Sequence, residues 1–199
     1  MHKALLAVPL VAALFGSAAA AELPARYRDP ATLRLWQEWV DDAVAESRQT
    51  GKTIVIVDKL ERRTVLVTAG KVVDRYLVEM GGNPLADKLY EGDEATPEGL
   101  YRVSQKRDRG QTSFYRALMV DYPTEEDRRE HAEAQRQGRV PRGRGPGGLI
   151  EIHGEGGRGF DWTNGCVALT NADMDRLFAA VSVGTRIVIV GTARLPGDA

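Results

Sequence analysis

Between positions 53 and 80 the chain reads TIVIVDKLERRTVLVTAGKVVDRYLVEM, three runs rich in β-branched residues at 53–57, 64–68 and 71–80. Valine, isoleucine and threonine are stiff at χ1 and fit a pleated surface better than a helix. A charged break from Lys59 to Arg63 and an Ala69-Gly70 turn separate the runs. The segment is therefore expected to form an antiparallel meander, which commits the chain to a sheet-based core.

Further strands are expected at 100–105, 114–121, 149–153 and 185–191. Three helices are expected at the margins. The first, within DPATLRLWQEWVDDAVAESRQTG, places Leu33, Trp36, Trp39 or Val40, and Ala43 or Val44 at helical spacing, with Gly51 as its cap. Its tryptophans are expected to pack in the core. The second, YPTEEDRREHAEAQRQG, has Thr124 as N-cap, acids in its first turn and Gly138 at its end. Its polar composition suggests a solvated or lid-like element, and the RVPRGRGPGG that follows reads as a mobile basic loop. The third, NADMDRLFAAV, is opened by Thr170 or Asn171. Short strands broken by Gly and Pro turns, with helices at the edges, make a mainly β (α+β) sandwich with a few peripheral helices.

The N-terminus has the pattern of a secretory signal: His2 and Lys3, an apolar run from Ala4 to Phe15, then Ala19-Ala20-Ala21. The apolar run is short for a bilayer span, so no stable membrane insertion is expected once the signal is cleaved. The expected boundaries are a signal peptide at 1–21, an N-terminal helical segment at 22–51, one domain at 52–192 and a tail at 193–199. Export implies a periplasmic location. A net charge of −1 argues against nucleic acid as the main partner.

The single cysteine, Cys166, lies in IEIHGEGGRGFDWTNGCVAL, thirteen positions after His153. It cannot form an intramolecular disulfide, so it is a free reactive thiol, an intermolecular bridge or an inert buried side chain. A catalytic cysteine reacts as its thiolate and needs a base nearby, with backbone N–H groups to bind the developing oxyanion. His153 at a strand end, Gly154 at the turn after it and Gly165 before Cys166 fit those needs. The inert readings stay open at this point: a small buried cysteine and a satisfied core histidine. Cys166, His153, His131 and scattered acids match no compact metal-ligand spacing, and no metal is expected.

Four stretches in order, ATPEGLYRV, VDYPTEEDRREHAEAQRQG, PGGLIEIHG and TNGCVAL, resemble the L,D-transpeptidase catalytic domain (YkuD) family of Gram-negative type, over residues 53–191. The resemblance implies the family's β-sandwich and an enzyme that needs no cofactor. Its substrates would be peptidoglycan stem peptides. Cys166 would attack the third residue's L-centre carbonyl, expel D-alanine and hold the stem as a thioester until a second stem's amine resolves it. His153 would be general base and then acid. Gly165 and Cys166 would supply oxyanion donors, while Thr163, Asn164 and Gly154 would shape the turn. Arg158, Arg142 and Arg144 are candidate cations for the stem carboxylate. A catalyst is expected to hold its thiol well below the ordinary value of about 8.5.

Two positions depart from the pattern. Many members have His before the Gly and Arg two residues after the Cys, where this chain has Asn164 and Ala168. The departures keep two alternatives open: an L,D-carboxypeptidase or amidase that hydrolyses stem peptides, and a non-catalytic wall-binding module.

Overall fold

The computed structural model describes residues 23–198. The expected signal segment at 1–21 lies outside them. Eight strands form one continuous ladder: β1 (Thr53–Asp58), β2 (Arg63–Thr68), β3 (Lys71–Leu77), β4 (Gly99–Arg107), β5 (Ala117–Val120), β6 (Glu151–His153), β7 (Val167–Ala168) and β8 (Arg186–Val190). Their order is β3-β2-β1-β8-β4-β5-β6-β7. The meander β1-β2-β3 is antiparallel as expected, and β8 adds beside β1 in parallel.

The apolar runs IVIV of β1 and IVIV of β8 are continuous because those strands are buried on both faces. Ile54, Ile56, Val188 and Val190 face the helix α1 (Pro30–Thr50), where Trp36, Val40, Ala43 and Val44 cover them. Val55, Val57, Ile187 and Ile189 face the other way into the main core. Asp29 caps α1 by accepting from the Thr32 N–H at 2.9 Å, and Gly51 closes it at φ +72°. Trp36 is core, as expected.

Strand β4 joins two sheets. Residues 99–102 pair with β8, whereas the register against β5 shifts between Val103 and Gln105. Such an irregularity bends a strand and increases its twist. It carries β5, β6 and β7 over the first sheet, and Leu118, Val120, Ile152 and Val167 meet Leu66, Tyr76 and Ile187 in one core. Met174 and Leu177 of α3 (Asn171–Ala180), capped by Thr170, are buried in it too. The mainly β sandwich with peripheral helices is thus the observed architecture.

Three expectations change. The third run stops pairing at Leu77, and Glu79 and Gly81 instead bridge to Ala168 and Thr163. The two ends of the ladder therefore meet, and the layers close toward a half-barrel. The second helix, α2 (Glu125–Arg136), is not a free lid. Asp127, His131 and Ala134 are buried; Asp127 accepts from the Tyr101 hydroxyl at 2.8 Å, and His131 Nδ1 lies 2.6 Å from the Leu89 carbonyl. The basic loop is tied down as well, since the Glu91 N–H donates to Gly145 O and the Tyr122 hydroxyl to Pro146 O, both at 2.9 Å.

One buried ionic knot holds the segment at 83–98. Lys59, with no exposed surface, donates to Glu98 Oε1 at 3.0 Å, Thr96 O at 2.7 Å and Ala86 O at 2.5 Å. Arg26 reaches Glu98 from outside the sheet. Burial disfavours both buried charges, so the contacts that satisfy them are obligatory.

The packing of α1 generates a direct prediction. A Cβ at Gly191 would lie 2.2 Å from the Trp36 ring. Gly191→Ala is expected to lower stability by roughly 1–3 kcal/mol, the usual cost of overpacking a core, read as a fall in the urea midpoint at unchanged slope.

Candidate active site

In the parallel pair β6 and β7, Ile152 lies beside Val167 and His153 beside Ala168. Ile152 and Val167 point into the core. Strand alternation turns His153 and the residue before Val167 to the opposite side. There Cys166 and His153 line one cleft of about 470 Å³.

The turn carrying Cys166 is stitched through Thr163. Its hydroxyl donates to Cys166 O at 2.7 Å and accepts from the Gly165 N–H at 3.2 Å. Its backbone N–H donates to Met80 O, and its carbonyl accepts from the Gly82 N–H, each at 3.0 Å. Gly165 sits at φ +120°, and a Cβ there would lie 2.6 Å from Ala95 O. Only glycine meets both demands. Gly154 has a different use from the sharp turn expected of it: a Cβ would lie 2.6 Å from Asn171 Oδ1. It is needed for close approach.

His153 has no exposed surface. Its ring stacks on Phe114 at 3.6 Å and meets Trp162 at 5.8 Å in an edge contact. Nδ1 is 2.6 Å from Gly154 O, a bond in which Nδ1–H must be the donor. That assigns the lone pair to Nε2, which is buried with no hydrogen-bond partner. Burial holds the imidazole down at about 4, against the Gly154 hydrogen bond and with the help of the Arg158 charge.

The Cys166 thiol is pushed the other way. Burial raises it to about 11, against a hydrogen bond from the Glu151 backbone. Sγ donates to Leu149 O at 3.6 Å, and Leu149 holds that carbonyl in place from a left-handed φ of 56°. The expected low thiol value is therefore not what the site sets up. Both groups are desolvated, and the resting pair is neutral thiol and neutral imidazole.

The remaining expected residues divide. Asn164 and Arg144 line the cleft. Arg158 is exposed and stacks on Trp162, 3.4 Å from its centroid, while Arg142 is exposed outside the cleft lining. The Gly165 N–H, expected to face a substrate oxygen, is taken by Thr163. The Cys166 N–H has no hydrogen-bond partner among the described residues.

Sequence reasoning missed the groups that hold the site. Glu79 accepts from the Gly159 N–H at 2.5 Å and from Trp162 Nε1 at 2.8 Å. Phe114 and Lys88 also line the cleft. Trp162 abuts the TNGC turn and was the one available signal; Glu79, Lys88 and Phe114 lie far off in the chain and fit no pattern. Among the described residues no group of three or more His, Cys, Asp or Glu is placed to hold a metal.

Fold and cleft together define a two-sheet β protein with a cysteine and a histidine converging where its ladder closes. The model of the YkuD family, the L,D-transpeptidase catalytic domain, matches residues 52–189, and the chain belongs to that family. It is 26% identical over 112 residues to the putative L,D-transpeptidase YafK of Escherichia coli K12, a match spanning 56% of this chain and 38% of that protein. The fold is shared with Bd1075 of Bdellovibrio bacteriovorus (TM-score 0.55, 20% identity, 77% of this chain and 52% of that one). It is shared also with the helical cell shape determining protein Pgp2 of Campylobacter jejuni (TM-score 0.52, 22% identity, 79% and 57%).

A buried neutral histidine makes stability depend on pH. The unfolded chain takes up its proton near 6.5 and the folded chain only near 4. The contribution is therefore complete above pH 6.5 and is lost as pH falls toward 4. His153→Phe, which keeps the stack on Phe114, should remove about 2–3 kcal/mol of that acid loss. Denaturant midpoints of both proteins at pH 7 and pH 4 measure it; parallel declines would show that His153 is not held neutral.

Proposed function

We propose that the protein is a periplasmic L,D-transpeptidase that cross-links peptidoglycan stem peptides through a thioester on Cys166. The observation that carries the reading is the partnerless, fully buried Nε2 of His153 in the same cleft as the only thiol. An unsatisfied buried polar atom costs roughly 1–3 kcal/mol. A wall-binding module has no use for such an atom, whereas a general base requires its lone pair free. The expected export signal and the family's wall chemistry support the location, and no helix among the described residues is long and apolar enough to cross a membrane.

The neutral pair sets the order of events. Cys166 Sγ attacks the carbonyl of the third residue's L-centre while Nε2 takes the thiol proton, so no thiolate need accumulate beforehand. The imidazolium is then flanked by the Gly154 carbonyl that already holds Nδ1–H. The Cys166 N–H, which has no hydrogen-bond partner among the described residues, is the backbone donor left for the tetrahedral oxygen once Thr163 has taken the Gly165 N–H. Nε2 next protonates the departing amine of D-alanine, and the stem remains as a thioester. A second stem's amine gives the cross-link; water in its place gives a carboxypeptidase. With Lys88 paired to Asp93, Arg144 is the cation in the cleft left for a stem carboxylate.

Intact mass measurement after exposure to a carbapenem, and separately to a disaccharide-tetrapeptide, is the test. The wild type should gain an acyl adduct and release D-alanine, while Cys166→Ala should gain nothing and His153→Ala should acylate at least 100-fold more slowly, the usual scale of a lost general base. The rate of acylation should be flat at neutral pH and fall as pH drops through about 4, because protonation of His153 removes the base. Alkylation by iodoacetamide should instead climb with pH toward about 11. An adduct on Cys166→Ala would end the assignment.

A further inference from the structure

The cleft holds one acid placed for a task that neither Cys166 nor His153 performs. Glu94 lines it, is exposed, and makes no ion pair or side-chain hydrogen bond among the described residues. Its backbone is held at φ 55°, unusual for a residue with a side chain. Two glycines enforce that placement. Glu94 O accepts from the Asn83 N–H at 3.0 Å, and a Cβ on Gly81 would lie 2.0 Å from the same oxygen. A Cβ on Gly82 would lie 2.7 Å from Glu94 Oε2, so the carboxylate rests against bare backbone. Gly82 in turn donates to Thr163 O in the nucleophile turn. The carboxylate therefore stands one peptide layer from the residues that carry Cys166.

The other charges in the cleft are otherwise engaged or differently placed. Lys88 is buried and paired with Asp93 at 2.8 Å, which makes that corner neutral. Glu91 stands against the basic loop: its N–H is tied to Gly145 O, and a Cβ on Gly147 would meet its Cβ at 3.3 Å. Arg144 lines the cleft with its guanidinium near Gly92 and makes no ion pair among the described residues. Glu94 alone couples a free negative charge to the nucleophile turn.

Resting on the thioester reading above, we infer that Glu94 is the acceptor-binding residue, the group that receives the attacking amine as its ammonium ion and so favours transfer over hydrolysis. A thioester in an open cleft faces water at overwhelming concentration, and only a bound amine competes. At neutral pH that amine arrives as R–NH3+, and a carboxylate is the side chain that attracts it and orients its N–H bonds. In the step that follows, the C–S bond breaks and a C–N bond forms. The ammonium loses two protons: one returns through His153 Nε2 to the departing thiolate, and the other leaves to water. Glu94 remains ionised throughout.

The experiment uses the whole protein with disaccharide-tetrapeptide as donor and acceptor, and in parallel with hydroxylamine, which is neutral at pH 7, as acceptor. The readouts are the acyl-enzyme mass on Cys166 and the ratio of amide products to hydrolysed tripeptide. Glu94→Gln should lower the cross-link ratio about fivefold, the scale of one partly exposed ion pair, with acyl-enzyme formation and the hydroxylamine ratio unchanged. Glu94→Asp, which keeps the charge, should recover most of the ratio, and added salt should narrow the gap between wild type and Glu94→Gln. An unchanged cross-link ratio in Glu94→Gln, or an equal loss with hydroxylamine, overturns the assignment, the latter because it marks a structural role. An acyl-enzyme that yields only tripeptide with every acceptor overturns it as well. Failure of the wild type to acylate is read on the mass alone and refutes the thioester reading itself.

Discussion

Closure of the ladder at Glu79 is the constraint on which the site depends. Strand order begins at β3 and ends at β7, and the residues after β3 bend across to pair with β7. The Glu79 N–H donates to Ala168 O at 3.0 Å, and the Ala168 N–H returns to Glu79 O at 2.7 Å. The same residue's carboxylate, nearly buried, spends both oxygens on Gly159 and Trp162. One residue thus fixes the strand after Cys166, the glycine-rich loop before it and the ring edge against His153. A buried carboxylate is tolerable there because its acceptors are used.

That closure also decides the electrostatics. Phe114 and Trp162 wrap the imidazole, and the second sheet packs behind it, so water is excluded from Nε2. Desolvation disfavours charge on both partners, lowering the histidine and raising the cysteine. An ion pair at rest would need a favourable interaction large enough to offset two desolvations, and the structure offers the thiol instead a carbonyl acceptor at Leu149.

Much of the fold was legible because its signals are local. Doubly buried β1 and β8 read as unbroken Val and Ile, the caps at Thr124 and Thr170 sit where short polar side chains precede helices, and the HG and TNGC stretches mark the candidate site. What stayed hidden depends on distant partners. Nothing near Phe114 announces that it stacks on a residue 39 positions on. The polar composition of α2 hid the fact that three buried positions, Asp127, His131 and Ala134, suffice to dock a helix when two of them hydrogen-bond what they touch. The Gly165 N–H was misjudged for a related reason: the Thr163 side chain competes for it, and sequence order alone does not say which acceptor wins.

The floor of the cleft is built from backbone. Gly81, Gly82 and Gly165 let the segments around Glu94, Ala95 and the nucleophile turn approach closer than any Cβ allows. A floor of peptide groups offers the same N–H and C=O pattern to any extended peptide, so it can align a peptide backbone but discriminates weakly among side chains. Discrimination then falls to the side chains that rise from the walls. Those are Arg144 from the loop after α2 and Glu91 and Glu94 from the segment clamped by the Lys59–Glu98 pair. Both wall segments are held by buried polar contacts far from Cys166, through His131, Tyr122 and Lys59. The position of Cys166 and the side chains that surround it are therefore fixed by separate parts of the molecule, the one by the closure at Glu79 and the other by the buried contacts behind the walls.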